Sequence, residues 1–211
     1  MHASSLIAEV SPSPAHLAEP ARTPLPKVRV QKGSQLPRPR TLMHPGQFNP
    51  VRIQSMSATA SRHIRLSLLP GQSLYEGLVR PLAEAGVRNA SMTILGGLFE
   101  TLDYCVAPPD PSGQAVIAYT RPIHAGRAYM IFGNATLGKS MKNTPLVHCH
   151  AVLRTERGDI RGGHILTESC IVGSAPISAL VTSLDGFELR QAYDPETNIP
   201  LLQPHGVCDE H

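Results

Sequence analysis

The sequence predicts an α+β fold: a mixed, largely antiparallel β-sheet with one principal helix. Three observations carry that reading. Short runs of alternating apolar and polar residues, separated by Gly, Pro and Asp turns, recur from residue 63 onward. One stretch, beginning at Ser73, has helical spacing behind a capping signal. Strands and helices do not alternate as βαβ units would require.

The elements follow in order. Residues 1–41 form a basic, proline-rich segment, with Pro at 12, 14, 20, 24, 26, 37 and 39 and almost no apolar periodicity. That composition favours a flexible tail. His44-Pro45-Gly46 reads as a turn into a folded domain over 42–195, and residues 51–56 as a first short strand. His63 to Leu69 alternates Ile64, Leu66 and Leu68 against His63, Arg65 and Ser67, a half-buried strand. Ser73 and Glu76 make a capping box, Leu74, Leu78, Leu82 and Ala85 form an apolar stripe, and Gly86 ends the helix. Pro81 lies inside that stripe and is expected to kink or split it.

Asn89–Leu95 and Leu98–Val106 read as strands around Gly96-Gly97, with a loop at 107–114 and a short edge strand at Ala115–Tyr119. Ala128–Leu137 is a strand with a bulge expected at Gly133. Cys170–Val172 and Ile177–Leu184 continue the sheet, and Asp185-Gly186 is read as a hairpin turn into Phe187–Tyr193. Residues 196–211 are expected as a polar C-terminal tail.

The chain's 211 residues suffice for one domain with a tail. Its charge is unevenly placed: residues 1–63 hold eight Lys/Arg against two Asp/Glu, and the remainder eleven against fourteen. Lys27, Arg29, Lys32, Arg38 and Arg40 in the tail are therefore the candidate contacts to nucleic-acid phosphates. Leu36-Pro37-Arg38-Pro39-Arg40 lacks the glycine of an AT-hook core. Cys105, Cys149, Cys170 and Cys208 form no CxxC pair, so free thiols in a reducing cytoplasm are expected. No apolar run has the length of a membrane span, and the first residues lack the pattern of a signal peptide.

The chemistry concentrates in Pro145–Leu166, PLVHCHAVLRTERGDIRGGHIL. Two strands flank a polar turn containing Gly158. His148 and His150 share a face because strand side chains alternate, and Cys149 points the other way. With the turn centred on Arg157, His150 lies directly opposite His164 and His148 diagonal to it. Opposite Cβ atoms are ~5 Å apart and diagonal ones ~7–8 Å, so three imidazoles can converge on one divalent metal. A one-residue slip would move His164 to the other face. Gly162 and Gly163 are read as backbone features, a bulge or a close approach, and not as ligands.

The strand–Pro-Gly–helix opening HIRLSLLPGQSLYEGL, then SMTILGG, GRAYMIFGNATLG, the HCH motif and GGHIL together resemble the PPC (plants and prokaryotes conserved) domain over residues ~62–193. The resemblance implies a compact α+β domain, related in fold to acetolactate decarboxylase, that assembles as a homotrimer. It also implies zinc held by His148, His150 and His164. Many members carry Gly-Arg-Phe-Glu-Ile-Leu where this chain has Gly126-Arg127-Ala128-Tyr129-Met130-Ile131, so the acidic residue is missing. The family's role is undetermined and this chain has no AT-hook, so a regulatory or DNA-associated role through the basic N-terminal segment is the first expectation, with a zinc-dependent small-molecule lyase or hydrolase using the three histidines as the alternative. Glu168, Arg154, Arg161 and Glu100 are the charged residues an enzyme could recruit, although each reads first as a surface or turn charge. His44, His63 and His124 have no spacing that brings them to the three, and Cys149 is expected as a core thiol.

Overall fold

The computed structural model describes residues 42–206, apart from 52, 53 and 59. Lys27, Arg29, Lys32, Arg38 and Arg40, and Cys208, lie outside the described residues.

The described chain forms β1 (His63–Leu68), α1 (Leu74–Glu84), β2 (Ala90–Ile94), β3 (Gly97–Cys105), β4 (Ile123–Lys139) and β5 (Pro145–Thr155). These are followed by β6 (Ile160–Ile165), β7 (Ile171–Val172), β8 (Ile177–Ser183), β9 (Phe187–Asp194) and β10 (Ile199–Gly206). The sheet runs β1-β8-β2-β4-β5-β6-β3-β7, and β3 also pairs with β4, which closes β3, β4, β5 and β6 into a ring. The long β4 makes this possible: residues 123–130 pair with β3 and residues 133–137 with β2 along one edge, while β5 covers the other. Every pairing is antiparallel except a single β4–β9 contact at Lys139 and Arg190.

Helix α1 starts as the capping box requires. Glu76 N–H donates to Ser73 Oγ at 3.1 Å, and Glu76 Oε2 accepts from Ser73 N–H at 3.4 Å. Leu74, Leu78 and Leu82 are fully buried against the inner face of the sheet, each contributing about 2 kcal/mol relative to exposure. The helix is continuous through Pro81, contrary to the expected kink. Pro81 falls in its last turns, where only the bond to the Gly77 carbonyl is lost, and Pro81 O still accepts from Ala85 N–H at 3.0 Å. Gly86 follows in the left-handed region at φ 68°.

Four further expectations are corrected. Among the described residues of 51–56 there is no strand; Val51 N–H bonds the side chain of Asn49 at 2.9 Å, a local turn instead of a ladder. Residues 115–119 are loop, because Val116 N–H reaches Thr197 O and Ala118 N–H reaches Pro108 O, two different neighbours. Asp185-Gly186 does not close a hairpin. The buried Asn89 side chain donates to Phe187 O at 3.1 Å and accepts from Leu189 N–H at 2.8 Å, so β9 is led away from β8 to pair with β10.

The segment from 196 is not a tail: β10 pairs with β9 along its whole length. Pro200 and Pro204, which read as strand breakers, are four residues apart and so share an orientation. On an edge strand both can turn their missing N–H toward solvent. Glu196 itself is buried, at 3% exposure. Its carboxylate binds His44 Nδ1 at 2.7 Å and Asn49 N–H at 2.8 Å, and its carbonyl accepts from Gly46 N–H at 2.9 Å.

Candidate metal centre

The histidine hairpin adopts the register derived from the sequence: His150 faces His164, Ala151 faces Gly163, and Arg154 faces Ile160. The turn closes through Thr155 N–H to Asp159 O and Gly158 N–H to Thr155 O, both at 2.9 Å. Cys149 points inward and is fully buried. His148 and His150 point outward with His164, and their ring centroids are 4.7–5.6 Å apart. One nitrogen from each ring lies within 4.8 Å of the others, and no acidic or thiol group joins them among the described residues.

Gly162 and Gly163 are needed for this packing. Strand β6 is squeezed between β5 and β3, with His164 opposite Cys105 on the far side. A Cβ on Gly163 would collide with the Cys105 carbonyl, and one on Gly162 would come within 2.9 Å of Ala151 O. The close approach is the reason for the pair; the β5–β6 register runs without a bulge. The bulge in β4 falls between Met130 and Phe132 instead of at Gly133, which pairs with Ala151.

Two of the three rings are held toward their neutral form. Burial, followed by the nearby His164 and His150, pulls His148 from 6.5 down to about 4. Burial and His150 also lower His164. Rings without a proton present lone pairs to a cation. His164 Nδ1 is buried with no hydrogen-bond partner, and none of the three rings has one among the described residues. A buried polar atom without a partner is costly, and a metal ion held at that nitrogen would satisfy it. The residues present therefore fit a metal: three imidazole nitrogens, close together, with no hydrogen bond made by any of the three rings among the described residues.

The other sequence candidates go elsewhere. His44 binds Glu196, His63 lies 3.2 Å from Thr182 Oγ1, and His124 binds the buried Asp103 at 2.8 Å. Glu100 faces Arg127 at 3.6 Å and Arg161 faces Asp159 at 3.3 Å. Glu168 accepts from Thr167 Oγ1 at 3.3 Å, and Arg154 is an exposed β5 residue outside the cluster. The sequence reading missed Tyr119, whose ring centroid is 5.4 Å from that of His164. It belongs to the loop after β3, closed at its neck by Val106 and Thr120. No local pattern announces that contact.

The model of the plants and prokaryotes conserved (PCC) domain matches residues 55–184, more than half of the chain. The chain belongs to the PCC domain family. Solved structures agree on the fold. A metal-containing protein of Archaeoglobus fulgidus shares 18% identity at a TM-score of 0.56, over 72% of this chain and 98% of that one. A plant- and prokaryote-conserved protein of Pyrococcus horikoshii shares 16% at 0.54, over 72% and 96%. A candidate DNA-binding protein of Ralstonia eutropha shares 16% at 0.52, over 70% and 93%. No curated protein matches the chain. At these identities the likeness carries the PCC fold, with its antiparallel sheet and single helix. Among the described residues no helix is long and apolar enough to cross a membrane.

Proposed function

We propose that this PCC-domain chain binds a divalent transition metal, zinc foremost, through His148, His150 and His164. The observation that carries the reading is the convergence of three imidazole nitrogens, one from each ring, within 4.8 Å; His164 Nδ1 is in addition buried without a partner. The Archaeoglobus fulgidus relative, described as metal-containing, supports it. Imidazole suits zinc, and three protein ligands leave a coordination position for an outside ligand. Zinc bound in such a set supplies a Lewis acid and lowers the pKa of a bound water. Of this chain's own residues, the hairpin fixes the three rings, Cys105 and Gly163 hold β6 in place, and Tyr119 covers one side of His164.

The biological role we infer is regulatory and DNA-associated, with Lys27, Arg29, Lys32, Arg38 and Arg40 supplying phosphate contacts and the chain acting as a homotrimer. Candidate DNA-binding descriptions of structural relatives support the first part. The exposed Tyr129, Ile131 and Phe132 on β4 suit a contact between copies. A zinc-dependent lyase or hydrolase is the second reading, and it would need a proton-transfer group beside the metal.

Metal analysis of the purified protein tests the site. The expected result is one zinc per chain in the wild type and loss of most of it in His150→Ala; equal metal in both would refute the assignment. Salt-sensitive binding to duplex DNA that disappears when residues 1–41 are removed is the expected result for the tail.

A further inference from the structure

Two rows of side chains cross the sheet from its edge strand to the histidines. Arg65, Leu180, Thr93, Asn134, His150 and His164 are successive cross-strand partners from β1 to β6. Beside them run His63, Thr182, Ser91, Thr136 and His148. Directly paired residues project from the same face, so both rows share one surface. The intervening residues confirm the alternation: Met92, Ala135, Cys149 and Val181 all point into the core, at 0–2% exposure.

The rows are graded in chemistry. Neither contains a carboxylate. One end is basic, with Arg65 and His63 exposed and Arg65 in no ion pair among the described residues. Between the ends stand the exposed Leu180 and then hydroxyls and an amide. Ser91, Thr93, Asn134 and Thr136 have no side-chain hydrogen bond among the described residues. The other end is the imidazole cluster. Near the basic end the surface dips into a cavity of about 490 Å³ lined by His63, Arg65, Ser91, Thr93 and Thr182 together with the apolar Ile64, Leu180 and Val181.

We propose that this strip binds a phosphorylated, hydroxyl-bearing small molecule, with its phosphate at Arg65 and His63 and its hydroxyls over Ser91, Thr93, Asn134 and Thr136. A guanidinium fork matches phosphate oxygens, and among the described residues no carboxylate in the two rows or the cavity lining opposes the charge. Hydroxyl and amide side chains without partners are the complement of a sugar. Four strand spacings of about 4.8 Å separate β1 from β5 by about 19 Å, room for a sugar phosphate or a nucleotide once the side chains reach inward. The phosphate end is independent of any metal; only the direction of the far end, toward the histidines, rests on the metal-site reading.

The test uses the full chain with its zinc content measured. Ribose 5-phosphate, AMP, ribose and adenosine are titrated calorimetrically, and backbone amide resonances report the location. Both phosphorylated probes are expected to bind at least about tenfold more tightly than their unphosphorylated counterparts, with shifts at Ser91, Thr93 and Thr182. Tighter AMP than ribose 5-phosphate assigns a nucleotide; equal affinity assigns a sugar phosphate. Arg65→Ala is expected to abolish the phosphate preference while leaving zinc content unchanged. Failure of both phosphorylated probes to bind zinc-replete protein would overturn the proposal. So would equal binding of sugar and sugar phosphate, an Arg65→Ala variant that keeps the preference, or silent β2 amides because a second copy covers the face. A full chain that takes up no zinc but still binds the phosphorylated probes would fail the metal reading and leave this one standing.

Discussion

His148 shows how a single residue's surroundings set its chemistry. Its folded pKa is about 4 against an ordinary 6.5, because burial and two neighbouring imidazoles disfavour its charge. The unfolded chain therefore takes up a proton as pH falls below 6.5, while the folded metal-free chain resists until about 4. Stability is full above that window and is lost as pH drops through it. Thermal unfolding of the metal-free protein across pH 7 to 4 is expected to show a falling Tm, flattened in His148→Gln. Gly163 makes the second residue-scale prediction. A methyl group there meets the Cys105 carbonyl, so Gly163→Ala should cost about 1–3 kcal/mol in denaturant unfolding and weaken zinc retention by displacing His164.

At the scale of elements, the hairpin and the helix were legible because short-range rules decide them. His148-x-His150 with a polar turn and His164 fixed both face and register, and Ser73 with Glu76 located the helix start. Replacing Ser73 by Ala should lower stability by about 1 kcal/mol, measured by chemical denaturation, without altering metal content. What was not legible depended on distant partners. Strand β10 was hidden by Pro200 and Pro204, whose tolerance follows from the edge it occupies. The departure of β9 from β8 depends on the buried Asn89, about 100 residues away in sequence. Tyr119 reaches His164 only because the loop after β3 folds back, and the role of Gly162-Gly163 became specific only once β3 was placed against β6.

For the whole described domain, the segment from 42 to 51 and the C-terminal β9–β10 hairpin are joined at Glu196, a residue the sequence placed in a tail. Its buried carboxylate and carbonyl hold His44, Asn49 and Gly46. Glu196→Gln should therefore raise amide hydrogen exchange in residues 42–51 while exchange in β5 and β6 is unchanged. Glu196 is not part of the histidine face, so metal content should survive that substitution. Metal coordination on that face can be read by X-ray absorption at the zinc edge of the zinc-loaded protein. The predicted spectrum has three imidazole nitrogens at about 2.0–2.1 Å and no sulfur. A sulfur shell near 2.3 Å, or oxygen scatterers without imidazole, would contradict it.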